Sequence, residues 1–208
     1  MMRLIALCVL LACGCRSIPF PQTEPRPATD HAWHLRPQLR RAVGRAVLLR
    51  GESQFDFTLL VKFDSAANLL HVAGVEDLGG TLLQASCSAT GEVDVVRSSR
   101  LIPERFVEEL ALVLRAFCVG ERSGAAQAVG LEDGLGLQDA LGNWQTLLTR
   151  PNELGFAQRA YVGEGRALHA QLDVRSWSDA GRPLQLELSF PALGIDLDLN
   201  IVEWESES

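Results

Sequence analysis

"FDFTLLVKF", Phe55 to Phe63, sets Phe55, Phe57, Leu59, Val61 and Phe63 at every second position. A period of two puts five large apolar side chains on one face of a β-strand, with Asp56, Thr58 and Lys62 on the other. An apolar face of that size must be covered. The strand therefore belongs to a sheet with one dry side and one wet side.

The flanking sequence repeats the pattern. "AVGRAVLLR" (Ala42 to Arg50) enters through "GES", and "SAAN" turns the chain into "LLHVAGV" (Leu69 to Val75). After "EDLGG" comes "TLLQASC" (Thr81 to Cys87), and "TGE" leads to "VDVV" (Val93 to Val96). Strands joined by such short turns are antiparallel neighbours.

A helix interrupts the meander. "SSRLIPERFVEELALVLRAFCVG" offers Ser98 and Ser99 near its start, Pro103 and Glu104 in its first turn and Gly120 after its end. Ile102, Phe106, Leu110, Val113, Leu114 and Phe117 recur at helical spacing and form one apolar stripe. Glu104, Glu108 and Glu109 are assigned to its solvated face.

Beyond the helix, "SGAAQAVGLEDGLGLQDALGN" is rich in Gly and Ala and carries at most a weak strand or two around loops. The alternation returns in "WQTLLTR", "LGFAQRAYVG", "ALHAQLDVRSW", "PLQLELSF" and "IDLDLNIVEW". In "LQLELSF" and "IDLDLNI" apolar and polar residues alternate strictly, so one face is wet and the other dry. The expectation is a mainly β, α+β domain: a large curved antiparallel sheet with a helix on its dry side.

The N-terminal region reads as an address. Met1, Met2 and Arg3 make a short positive start, Leu4 to Ala12 are all apolar or Cys, and "LLACGC" follows at Leu10 to Cys15. That is the layout of a secretory signal peptide, and the run is about half of the roughly 20 residues a membrane-spanning helix needs. Two cysteines two residues apart could also be metal ligands or a redox pair. Leu-Leu-Ala directly before Cys resembles a bacterial lipobox, in which Cys13 becomes the lipidated first residue; Cys15 is the alternative. A buried core helix with two incidental cysteines is the competing reading. The boundaries expected are a signal peptide over 1–12, a flexible Pro-rich tether over 13–34 and a single domain over 35–208. Pro19, Pro21, Pro25 and Pro27 favour extended chain in the tether.

Composition fits one compact domain. The chain has 208 residues, 47% hydrophobic, with a net charge of −7. Removing leader and tether leaves roughly 175 residues, enough for a sizeable core. The acidic balance argues against a nucleic-acid partner, which would need clustered Lys and Arg. The basic stretch "RPQLRRAVGR" (Arg36 to Arg45) is read first as a solvated face, with a membrane surface as the nearest anion.

Catalytic motifs are absent: no G-x-S-x-G elbow, glycine-rich phosphate loop, H-E-x-x-H or paired Cys-x-x-Cys. A non-enzymatic protein without cofactor or metal is expected. His31 and His34 beside Asp30 form a weak metal candidate in the tether, and His71 and His169 are read as surface or cavity-edge residues. Cys87 and Cys118 are candidates for a disulfide in an oxidising compartment, with two buried free thiols as the alternative.

Signal peptide, lipobox, tether, strand meander, Leu-Gly turn, helix and closing strands ending in Trp together resemble the LolA/LolB lipoprotein-carrier superfamily. The resemblance is particularly to LolB and the related, uncharacterised outer-membrane lipoproteins. "LLHVAGVEDLGGTLLQAS", "IPERFVEELALVL" and "PALGIDLDLNIVEW" carry the resemblance, which spans roughly Ala42 to Trp204. The family's Asn-Pro at the tip is replaced here by Glu76-Asp77.

The resemblance implies an open antiparallel half-barrel with a helical lid whose apolar cavity takes acyl chains of lipid or lipoprotein. The lining would come from Phe55, Phe57, Leu59, Val61, Phe63, Leu82, Phe106, Leu110, Val113, Leu114 and Phe117; plain core packing is the alternative for each. It implies that Leu78 protrudes and touches membrane or cargo, as against lying tucked on a neighbouring loop. It further implies a monomer anchored in the outer membrane of a Gram-negative envelope, facing the periplasm, with a periplasmic carrier as a candidate donor. An accessory envelope lipoprotein that binds a protein partner is the second reading.

Overall fold

The computed structural model describes residues 18–21, 40–119, 127–131, 134–138, 144–151, 156–164 and 167–205. The first meander comprises β1 (Arg41–Arg50), β2 (Ser53–Asp64), β3 (Leu69–Val75), β4 (Thr81–Cys87) and β5 (Val93–Ser98). Helix α1 (Glu104–Val119) follows. The second meander comprises β6 (Gln127–Leu131), β7 (Gly134–Gln138), β8 (Trp144–Pro151), β9 (Ala157–Glu164), β10 (Ala167–Trp177), β11 (Pro183–Phe190) and β12 (Ile195–Glu205). The Gly/Ala-rich stretch thus holds a hairpin, with Leu131 opposite Gly134.

All of these strands lie in one 12-stranded sheet of order β5-β4-β3-β2-β1-β12-β11-β10-β9-β8-β7-β6. The two meanders join where the first strand meets the last, β1 pairing with β12 from Arg41↔Glu205 to Arg50↔Ile195. Strands β5 and β6 stand at the two ends of the order, so the barrel stays open.

Helix contacts show how strongly the sheet curls. Between β4 and β9 lie seven strand spacings, about 34 Å on a flat sheet at ~4.8 Å each. Yet α1, about 10–12 Å across, touches both, together with β3, β5, β8 and β10. Only a trough wrapped around the helix permits that. The expected half-barrel with a helix on its dry side is what forms.

The inner face carries the alternation read from the sequence. Phe57, Leu59, Val61 and Phe63 of β2 are buried while Asp56 and Lys62 are exposed. On the other side of the seam, Leu186, Leu188 and Phe190 of β11 join Ile195, Leu197 and Leu199 of β12 in the same core. The β1–β2 loop is two residues long, and Gly51 opens it at φ 58°, as a type II′ hairpin requires.

The helix begins later than Ser98 and Ser99 suggest. Ser98 closes β5, and the Ser99 N–H donates to the Leu82 carbonyl at 2.7 Å. Pro103 marks the actual start, its carbonyl accepting from Phe106 at 3.0 Å and Val107 at 3.4 Å. A proline fits there because its missing N–H would have no intrahelical partner. Gly120 lies outside the described residues.

Candidate functional site

Antiparallel pairing gives the trough two distinct ends. The β1–β2 turn, the β3–β4 tip, the end of β5 and the β11–β12 turn share one end; the β2–β3 and β10–β11 turns share the other. Helix α1 begins close after β5, and near its far end it bonds to the β2–β3 turn. It therefore runs along the trough from the β3–β4 end to the opposite end.

Leu78 occupies the β3–β4 tip and is 97% exposed. The Gly79 N–H donates to the Glu76 carbonyl at 2.8 Å, and the Glu76 N–H to the Gly80 carbonyl at 2.8 Å, which closes the loop beneath Leu78. Gly79 sits at φ 84°, a left-handed conformation that favours glycine. The alternative of a tucked Leu78 is thereby removed.

The expected lining residues converge. Phe57, Leu59, Val61 and Phe63 from β2, Leu82 from β4 and Phe106, Leu110, Val113, Leu114 and Phe117 from α1 are buried in one cluster, and Phe55 packs against it half-buried. Leu82 is there for an irregular reason: it is the extra residue of a bulge, since Gly74 pairs with Leu83 and Val75 with Thr81. The regular inward position belongs to Leu83. Aromatic contacts join helix to sheet and strand to strand, with Phe106 edge-on to Phe190 at 4.7 Å and Phe156 edge-on to Trp204 at 5.3 Å. Phe190, Phe156 and Leu83 are buried in the same cluster. Alternation marked Phe190 as inward, but only the curl of the sheet puts it opposite α1.

Two charged residues of α1 lie inside. Glu109 is 3% exposed, which corrects its assignment to the solvated face; Glu104 and Glu108 are exposed as expected. Position 109 is three residues after Phe106 and four before Val113, so it falls on the border of the apolar stripe. Arg105 donates from Nε to Glu109 Oε1 at 2.9 Å. Burial raises the Glu109 pKa above 4.5, against the opposing effects of Arg105 and His169. Oε2 is buried without a hydrogen-bond partner among the described residues.

Arg115 is the second. Its Nη1 donates to the carbonyls of Cys87 at 3.1 Å and Asn68 at 3.2 Å, and Nη2 donates to Asn68 Oδ1 at 2.6 Å. The guanidinium lies 5.8 Å from the Phe63 ring centroid. These bonds fasten the C-terminal half of α1 to the β2–β3 turn and the end of β4. A lone Arg inside an apolar run was the only sequence signal for it.

The disulfide considered for Cys87 and Cys118 is not made, and both remain buried thiols. Cys87 is fixed in the β3–β4–β5 ladder with its thiol towards the Ser88 carbonyl at 3.8 Å, while Cys118 belongs to the packed face of α1. Burial pushes the Cys118 thiol up to about 12. Among the described residues no His, Cys, Asp or Glu cluster could hold a metal. Cys13, Cys15, His31 and His34 lie outside the described residues. His71 is exposed and His169 half-buried. In the basic stretch Arg40, Arg41 and Arg45 are exposed.

Of the expected tether, only Ile18–Pro21 is described, and it is docked. Pro19 bridges Ala167, and the Leu168 N–H donates to the Ile18 carbonyl at 3.0 Å.

No family model and no curated protein matches the chain. Among solved structures it is similar to a DUF1329 family protein from Desulfovibrio piger, at 9% identity and a TM-score of 0.48, over 81% of this chain and 86% of that one. It is also similar to a domain from Vibrio parahaemolyticus provisionally described as an outer membrane lipoprotein-sorting protein. That match has 11% identity and a TM-score of 0.47, over 86% of this chain and 88% of that one. At these identities no residue role carries across.

Proposed function

We propose that this chain is a LolB-like, outer-membrane-anchored lipoprotein, without catalytic activity, that takes acyl chains of lipid or lipoprotein cargo into its trough and passes them to the membrane. One observation carries the reading: an open sheet wraps an almost wholly apolar trough around α1, and a bare Leu78 stands at the end where that helix begins.

The helix spans 16 residues, about 24 Å long and 10 Å wide. Lifting it by one layer of side chains opens a groove on that scale between its apolar stripe and the sheet. Each buried methylene contributes ~0.8 kcal/mol, so an acyl chain of about 15 methylenes contributes roughly 12 kcal/mol towards that displacement. The lipobox-like "LLAC" supports delivery at a membrane, with Cys13 as the proposed anchor.

Native mass spectrometry of a form beginning at Arg16, purified from a Gram-negative host, tests the proposal. Bound acyl species are expected. A protein that is repeatedly empty and does not exchange lipid with vesicles overturns it. That outcome favours an accessory envelope lipoprotein with a permanently filled core, a reading supported by the complete burial of Leu110, Val113 and Phe106.

A further inference from the structure

Phe20 is 2% exposed although it belongs to a Pro-rich stretch with no core of its own. Its ring packs with Leu147, Tyr161 and Leu168, edge-on to Tyr161 at 6.5 Å, in a cluster separate from the main core. Register places this socket on the convex face. Leu147 pairs with Tyr161 and Leu168 with Gly163, while their neighbours Leu148, Ala160, Val162 and Ala170 point into the trough. Gly163 leaves the space the ring fills, because a Cβ there would stand 2.5 Å from Phe20 Cδ2.

The socket lies beside the β9–β10 turn. Alternating strand direction puts that turn at the same end of the sheet as the β3–β4 tip. Leu78, and Leu101 at 56% exposure just before α1, both belong to that end. From Cys13 to Ile18 is five residues, a reach of at most about 18 Å, whereas from Cys13 to Arg40 is 27 residues, about 95 Å fully extended.

We infer that docked Phe20 is a latch that shortens the membrane leash and holds the Leu78–Leu101 rim against the lipid surface. The inference rests on the proposed reading of Cys13 as the anchor. Exposed Glu76 and Asp77 beside Leu78 oppose spontaneous binding to anionic lipid, so a covalent leash of limited reach supplies what two exposed leucines cannot.

The test uses the full lipidated protein in phosphatidylethanolamine vesicles carrying a headgroup energy acceptor. Donor dyes are placed through Glu52→Cys at the rim or Asp179→Cys at the far end, both in a Cys15→Ser background. Wild type is expected to transfer several-fold more energy from the rim than from the far end. Phe20→Ala is expected to bring the two towards equality, and Phe20→Leu to restore most of the difference. Hydrogen exchange at the Leu168 amide reports the latch itself and is expected to quicken at least about tenfold in Phe20→Ala. Equal transfer from both ends in wild type, or exchange unchanged in Phe20→Ala, overturns the latch. A Cys13→Ser protein that stays with the membrane overturns the anchor instead, and Leu168 exchange, which does not depend on Cys13, tells the two failures apart.

Discussion

At the scale of single residues, exposure and burial divide Leu78 from Glu109. Leu78 touches little, so Leu78→Glu is expected to change stability by no more than about 0.5 kcal/mol. It should nevertheless lower delivery of an acylated cargo to vesicles. Normal delivery by the folded variant would remove the role given to the tip. Glu109 acts through its buried carboxyl. A pKa raised in the folded state means the native protein holds its proton to higher pH than the unfolded chain, so stability falls as pH rises through the window above 4.5. Glu109→Gln removes that titration and keeps an acceptor for Arg105. Thermal melts should show the variant's advantage over wild type growing from acid towards neutral pH, and parallel curves would contradict the assignment.

At the scale of elements, α1 is both the main plug of the trough and its lid. Phe106 is fully buried against Phe190, so Phe106→Ala should cost about 3–5 kcal/mol, measured by denaturant unfolding. Cys118 reports the lid without disturbing it. With its thiol pushed up to about 12 rather than 9, the thiolate is about a thousandfold rarer, so alkylation is slow while α1 stays seated. An acyl-loaded protein in which α1 has lifted should alkylate faster at Cys118. Equal rates with and without a bound acyl chain would mean that the helix does not move. The sequence is most legible at this scale. "LLHVAGV", "TLLQASC", "ALHAQLDVRSW" and "PLQLELSF" are β3, β4, β10 and β11 to the residue, because period-two burial is written locally along each strand.

The whole molecule depends on the seam between its first and last strands. Gly44 lies at a bulge in the β1–β12 ladder, where a Cβ would stand 2.6 Å from Leu199 Cδ1 and 2.9 Å from the Asn200 carbonyl. Gly44→Ala is therefore expected to destabilise by about 1–3 kcal/mol and to loosen the two meanders together, seen as one shifted unfolding transition. Two separated transitions would show that the halves are independent. Outside the Gly/Ala-rich stretch that became β6 and β7, the sequence by itself determined which segments are strands, which face of each is dry, where the helix lies and that Leu78 sits on a turn. Those properties follow from residue spacing and turn chemistry over a few positions. Tertiary structure alone decided that β1 pairs with β12, that the sheet curls around α1 and that Glu109 and Arg115 go inside. It also decided that Phe20 folds back onto the convex face. Each of these joins residues far apart in the chain, where the partner's identity is set by packing volume and sheet curvature that no local pattern records.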